Sequence, residues 1–206
     1  MQQTLYYVHD PMCSWCWGFE PTRSRLFAAL DGRVPIQRLV GGLAPDSSAP
    51  MPDAMQQGLQ QTWRQIQQTI PGTEFNFDFW TLCAPRRSTY PSNRAVIAAR
   101  MQGDSFDEVI TGRIQRAYYL QARNPSDNDT LIELAADSGL DAERFAQDLT
   151  AAETQQKLLA EIDASRRLGI DSFPSLAVSD GERLTHIGLN YTDANAMLNQ
   201  VEALIE

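Results

Sequence analysis

The sequence contains a single lysine, Lys157, only two histidines and only three cysteines. Its positive charge is almost wholly arginine, and 17 Lys and Arg face 26 Asp and Glu, a formal charge of −9. A balance of that sign lacks the basic footprint on which nucleic-acid binding rests, and it disfavours docking on anionic lipid. No apolar run approaches the roughly 18 residues of a membrane span. Met1-Gln2-Gln3-Thr4 lacks the basic segment and apolar stretch of a secretory leader, so a cytoplasmic protein is expected. Three cysteines in 206 residues are too few, and odd in number, for a disulfide scaffold. What remains is ordinary globular composition, 43% hydrophobic and 21% charged, long enough for one domain or one domain with an insertion.

Thr4-Leu5-Tyr6-Tyr7-Val8 reads as a strand closed by Asp10-Pro11. Leu26, Phe27, Ala29 and Leu30 keep helical spacing up to Asp31-Gly32, and Val34 to Val40 reads as a second strand stopped by Gly41-Gly42. Strand, helix, strand predicts a parallel pair with a right-handed crossover. A Pro- and Ser-rich stretch over 45–52 marks a boundary, beyond which Met55, Leu59, Trp63, Ile66 and Ile70 share one helix face. Further helices are predicted from Pro91 to about Met101, through Phe106 to Tyr118, from a cap at Asp129 to Gly139, from a cap at Asp141, and from a Thr150–Glu153 capping box to Gly169. A hairpin of Ser175–Val178 and Leu184–Leu189 turns at Asp180-Gly181, and Thr192 caps a last helix. With its helical middle set aside, the order β-α-β then β-β-α is the thioredoxin topology. The predicted fold is therefore α/β and thioredoxin-like, with residues 1–48 and 151–206 as that domain and 49–150 as an all-helical insertion.

Cys13-Ser14-Trp15-Cys16 falls between the first strand and its helix. In a reducing compartment a C-x-x-C is metal-binding or redox-catalytic more often than structural. The thiolate is the nucleophile, and at a helix N-terminus the free N–H groups and the dipole stabilise an anion by roughly 0.3–2 kcal/mol. Cys13, at or before the first turn, can be exposed and is expected to attack. Cys16, one turn in and facing the body of the protein, is expected to resolve.

The stretch His9-Asp-Pro-Met-Cys-Ser-Trp-Cys-Trp-Gly-Phe19, with Gly169-Ile-Asp-Ser-Phe-Pro174-Ser before the hairpin and Pro85-Arg-Arg-Ser-Thr-Tyr-Pro91, resembles the DsbA-like branch of the thioredoxin superfamily. More narrowly it is similar to the cytoplasmic predicted protein-disulfide isomerase and FrnE-type group, over essentially the whole chain. The resemblance implies a thiol–disulfide oxidoreductase with Cys13 and Cys16 as the redox pair. It implies a cis-proline at Pro174 that, with Phe173, presents backbone to a substrate segment. No organic cofactor is implied; glutathione or a thioredoxin-type reductase would recycle the pair, and the substrate is a disulfide- or thiol-containing protein or small molecule. The Ser-Trp pair lacks the histidine that would add charge stabilisation of the thiolate, which favours a reductase or isomerase over a net oxidase. A rival within the same fold is a glutathione-dependent transferase or isomerase of the kappa or 2-hydroxychromene-2-carboxylate isomerase type, which needs no Cys16. A third reading is a metal- or peptide-binding module.

Trp15 reads as apolar surface that docks substrate beside Cys13, set against packing on the helical insertion, which is the preferred reading for Trp17. His9 can move protons or hold charge near the thiolate; the duller reading is a strand-end histidine bonded to local backbone. His186 and Cys83 read as structural, with a second redox relay or a zinc site through Cys83 as the sharper alternatives. Arg86 and Arg87 are candidate ligands for a carboxylate such as glutathione's, set against solvated or locally paired arginines. The oligomeric state, monomer or homodimer, is left open.

Overall fold

A computed structural model describes residues 3–205. Its elements in chain order are β1 (Thr4–His9), α1 (Ser14–Leu30), β2 (Ile36–Val40), α2 (Asp53–Thr69), α3 (Phe79–Leu82), α4 (Tyr90–Arg100), α5 (Phe106–Tyr119), α6 (Asn128–Ala136), α7 (Ala142–Thr150), α8 (Ala152–Arg167), β3 (Ser175–Ser179), β4 (Leu184–Ile187) and α9 (Ala194–Ile205). The sheet runs β2-β1-β3-β4, with β1 parallel to β2 and antiparallel to β3, and β3 antiparallel to β4. This is the α/β thioredoxin-like arrangement, with helices α2 to α7 lying between β2 and α8 in the chain.

Central position explains the composition of β1. Paired on both edges and covered on both faces, it carries Leu5 and Tyr7 into a core with Phe19, Leu26 and Leu30 of α1 and Met197 and Val201 of α9. Val8 packs oppositely, with Leu39, Ala177 and Ile170. The helical layer is centred on α4, whose Ala95-Val-Ile-Ala-Ala99 is buried throughout. Its small side chains let α5, α7 and α8 close on it from several sides.

One ionic chain joins the two layers. Arg38 of β2 lies 2.7 Å from Asp107 of α5. Asp107 also pairs with Arg100 of α4, which reaches Glu161 of α8 at 2.5 Å. The other carboxylate oxygen of Glu161 accepts the amide N–H of Val40 at 2.8 Å.

Several helix ends differ from expectation. Asp141 does cap α7, accepting from Arg144 N at 3.0 Å. Thr150, however, is still inside α7, because only Ala151 separates α7 from α8, and its hydroxyl donates back to the carbonyls of Ala146 and Gln147. The Thr150–Glu153 capping box therefore does not form. Asp129 lies in the first turn of α6 with Asp127 at the N-cap. Thr192 gives way to Asp193, whose Oδ1 accepts from the amides of Asn195 and Ala196. Strand β4 stops at Ile187, short of the expected Leu189. Of the predicted α2 face, Trp63, Ile66 and Ile70 are buried but Met55, at the open end of the helix, is exposed.

Candidate active site

The loop from Asp10 to Cys13 is drawn tight by one carboxylate. Asp10 is fully buried, and its Oδ1 accepts from Met12 N at 2.8 Å. Its Oδ2 accepts from Leu43 N (2.8 Å), Thr89 Oγ1 (2.7 Å) and Asn93 Nδ2 (2.8 Å). Burial pushes the Asp10 carboxyl up from its usual range, while the bonds from Asn93, Leu43, Thr89 and Met12 pull it back. The Asp10 carbonyl takes the Cys13 N–H at 3.0 Å, so the first cysteine is set by the same residue.

Cys13 is the N-cap of α1, in extended backbone (φ −79°, ψ 117°) and without a side-chain capping bond. Its carbonyl accepts from Trp17 N at 3.1 Å. Among the described residues, no hydrogen bond engages the amide N–H of Ser14, Trp15 or Cys16. Three free donors thus surround the start of a 17-residue helix, the setting that favours an anion. The expectation of an exposed Cys13 is corrected: it is 7% exposed, because the Phe173 backbone lies over it and its Sγ donates to the Phe173 carbonyl at 3.3 Å. Cys16 is 1% exposed. Burial first, then the hydrogen bond and charge of Cys13, push its thiol well up from the ordinary range. The two sulfurs are therefore inequivalent.

The Phe173–Pro174 peptide is cis, and Pro174 is buried beside the start of β3. The Phe173 ring lies against Gly41, where a Cβ would stand 2.1 Å from ring carbons. Gly42 follows with φ +60°, crowded by Ile162 and Tyr90. The Gly41-Gly42 pair thus clears space for the ring and turns the chain toward Leu43, whose amide Asp10 holds.

Trp15 is half-buried, its ring 5.1 Å from that of Tyr191, so part of its face is spent on the C-terminal segment. Trp17 packs on the helical layer, stacked on Tyr119 at 5.7 Å with its Nε1 donating to the Glu74 carbonyl at 3.0 Å. His9 is fully buried and stacked on Tyr7 at 4.9 Å. Among the described residues neither ring nitrogen has a hydrogen-bond partner, which corrects the expectation of a backbone-bonded histidine; the ring lies within the field of Arg38, Arg100 and Arg23. Burial first, and then those arginines, hold its pKa well below the usual value, so the ring is neutral.

Cys83 is half-buried at the edge of an aromatic cluster and donates to the Ala122 carbonyl at 3.0 Å. His186 is exposed on β4. Arg86 is locally paired, with Asp127 at 2.5 Å and the Ser126 carbonyl at 2.7 Å.

Sequence reasoning missed Asp10, read only as a turn residue, and Gly41, read only as a strand stop. It also missed the aromatic cluster of Phe75, Phe77, Phe79, Trp80, Tyr118 and Tyr119 gathered on Trp63. A carboxylate directly before Pro and three residues before a cysteine is the one local signal that marks Asp10.

These features are those of a C-x-x-C at a helix N-terminus facing a cis-proline loop. The family model described as thioredoxin matches residues 6–200. The chain belongs to the thioredoxin family, in its DsbA-like branch. Over 100% of this chain and 98% of the other, it superposes on a candidate protein disulfide isomerase from Nitrosomonas europaea with TM-score 0.87 and 25% identity. The cytosolic disulfide reductase DsbM of Pseudomonas aeruginosa gives TM-score 0.79 and 26% identity, covering 98% of both chains. A curated relative, the ClpXP adapter protein SpxH of Halalkalibacterium halodurans, is 26% identical over 175 residues, 83% of this chain. The chain spans 56% of the length of that relative. No helix among the described residues is long and apolar enough to cross a membrane.

Proposed function

We propose that the protein is a thiol–disulfide oxidoreductase in which Cys13 is the nucleophile and Cys16 the resolving thiol. The observation that carries this is the asymmetry of the pair: Cys13 caps α1 beside three unengaged amides, while Cys16 lies behind it, 1% exposed and held protonated by burial. The Cys13 thiolate attacks one sulfur of a substrate disulfide, forming a mixed disulfide and expelling the other sulfur as a thiolate that takes up a proton. Cys16 then gives up its proton and attacks Cys13 Sγ, releasing the second substrate thiol and closing a 13–16 disulfide. Two electrons pass from the pair to the substrate; run backwards, the same atoms oxidise, and resolution by a substrate thiol isomerises. The peptide at Phe173–Pro174, with its carbonyl already on Cys13, is the edge along which a substrate segment lies.

Reduction is the favoured direction. The absence of a charged residue between the cysteines supports it, as does the likeness to a protein named as a cytosolic disulfide reductase. Glutathione or a thioredoxin-type reductase then returns the pair to the dithiol in the cytoplasm. Cys13→Ser is expected to abolish exchange, and Cys16→Ser to retain attack and accumulate a mixed disulfide with substrate. If Cys16→Ser keeps full turnover, the glutathione-dependent transferase reading takes over. The adapter name of the curated relative supports a second reading, in which the fold binds a protein without redox chemistry. There, the Cys13→Ser/Cys16→Ser double variant would bind its partner as wild type does.

A further inference from the structure

The helical layer reaches into the active-site turn through one buried hydrogen bond. Trp63 of α2 is fully buried at the centre of the aromatic cluster, with Phe75 stacked at 4.8 Å and Trp80, Tyr119 and Phe77 within 5.5 Å. Its Nε1–H donates to Ser14 Oγ at 2.9 Å. Ser14 is the first residue of α1 and stands between Cys13 and Cys16 in the motif. An indole N–H is a donor only, so Ser14 is the acceptor and its own proton is directed elsewhere. The Tyr119 hydroxyl is also buried beside the Ser14 side chain, which favours its charged form.

The chemistry of Cys13 makes this contact consequential. In the dithiol, the Cys13 thiol donates to the Phe173 carbonyl. Once ionised, it has no proton for that oxygen, and the sulfur depends on the Cys16 thiol and the amides of Ser14, Trp15 and Cys16, all of them set by the first turn of α1. Nothing from Cys13 caps this turn. Between the cysteines, Ser14 is the side chain that a hydrogen bond ties to another part of the described structure, and Trp63 is its donor.

We propose that Ser14 and Trp63 are positioning residues that fix the first turn of α1 and thereby favour the reduced, thiolate-bearing form of the cysteine pair. The helical layer, on this account, sets how readily the pair is oxidised through Trp63, which takes no part in the electron transfer. The proposal rests on the oxidoreductase reading above.

The test uses the full chain with Ser14→Ala, Ser14→Thr, Trp63→Phe and the Trp63→Phe/Ser14→Ala double variant. Two quantities are read: the equilibrium constant for forming the 13–16 disulfide in glutathione buffers, and the rate of Cys13 alkylation by iodoacetamide at pH 7. Ser14→Ala is expected to favour the disulfide three- to tenfold, which is about 15–30 mV toward a more reducing pair at 29.6 mV per tenfold. Alkylation slows by a similar factor. Ser14→Thr, which keeps the acceptor oxygen, returns both values to within twofold of wild type. Trp63→Phe shifts them in the same direction, and the double variant moves no further than Ser14→Ala alone. The proposal is overturned if Ser14→Ala leaves both quantities within twofold of wild type, or if Trp63→Phe acts equally with and without the Ser14 hydroxyl. Should Trp63→Phe fail to fold, the Ser14 pair of variants decides. A wild-type chain that forms no 13–16 disulfide would instead remove the oxidoreductase reading itself.

Discussion

Removing the Asp10 carboxylate tests the account of the active-site loop most directly. Every polar atom facing it is a donor: two backbone amides, the Thr89 hydroxyl and the Asn93 amide, all at 2.7–2.8 Å. A protonated acid would need an acceptor for its own proton, and none of these four partners can supply one without turning away. The side chain is therefore held as an anion, satisfied by four bonds across three segments. Asp10→Ala strands all four donors. At about 1 kcal/mol each, the low end for a buried unsatisfied group since the vacated space admits water, the loss is about 4 kcal/mol. Asp10→Asn is gentler. Its oxygen can keep the three donors on the Oδ2 side, but its NH2 then meets the Met12 N–H donor to donor, and charge assistance is gone from the rest; about 2–3 kcal/mol is expected. With a urea m-value of about 2 kcal/mol/M, midpoints fall by roughly 2 M for Ala and 1 M for Asn. Equilibrium urea unfolding followed by tryptophan fluorescence reads both. An Asp10→Ala variant within about 1 kcal/mol of wild type would refute the reasoning, because no arrangement of four buried stranded donors costs so little.

Two other perturbations probe separate features. His9 is neutral when folded and titrates near 6.5 when unfolded. Below that pH the unfolded chain takes a proton that the folded chain refuses, so stability falls as pH drops, by up to about 1.4 kcal/mol per unit. His9→Phe keeps the stack on Tyr7 and removes this proton; the fall in urea midpoint between pH 7.5 and pH 5.0 is expected to shrink, and an unchanged fall would assign it elsewhere. Gly41→Ala places a methyl 2.1 Å from the Phe173 ring, and a ring cannot yield as a flexible chain end does. It is expected to cost about 1–3 kcal/mol and to slow disulfide exchange tenfold or more, by moving the carbonyl that lies over Cys13. Insulin-reduction turnover and thermal melting measure the two effects, and loss of stability with full turnover would break the link between Gly41 and the site.

The parts of the fold legible in the sequence were those whose signal is local. A run of β-favouring residues marks β1, Asp-Pro marks its end, and the spacing of Trp63, Ile66 and Ile70 marks the buried side of α2. The C-x-x-C stood out for the same reason, being four consecutive residues. What was not legible depends on partners distant in sequence. Phe75, Phe77 and Phe79 alternate with Asn76 and Asp78 as a strand would, yet they and Trp80 gain meaning only because Trp63 collects them. Asp10 looks like a turn former until Leu43, Thr89 and Asn93 arrive around it. Thr150 and Glu153 have the spacing of a cap, but a one-residue gap between α7 and α8 left the threonine inside the preceding helix. The exposure of Cys13 was misjudged because position relative to the helix says nothing of the loop, 160 residues later in the chain, that folds over it.

The bond from Glu161 to Val40 bears on how the molecule meets other chains. β2 is an outer strand, and the Gly41 amide is spent on His9 across the ladder. By alternation the Val40 amide points outward, to where another chain's strand would dock, and there it is claimed by a carboxylate anchored through Arg100. Helix α8 stands against the same margin. Sheet extension on that side would require a foreign carbonyl to displace a charged acceptor already tied into the ionic chain. On the opposite margin, β4, no side chain among the described residues claims a backbone amide in this way. A foreign strand adding to this sheet would meet the freer margin at β4, and the brevity of β4 limits how many rungs such a pairing could form.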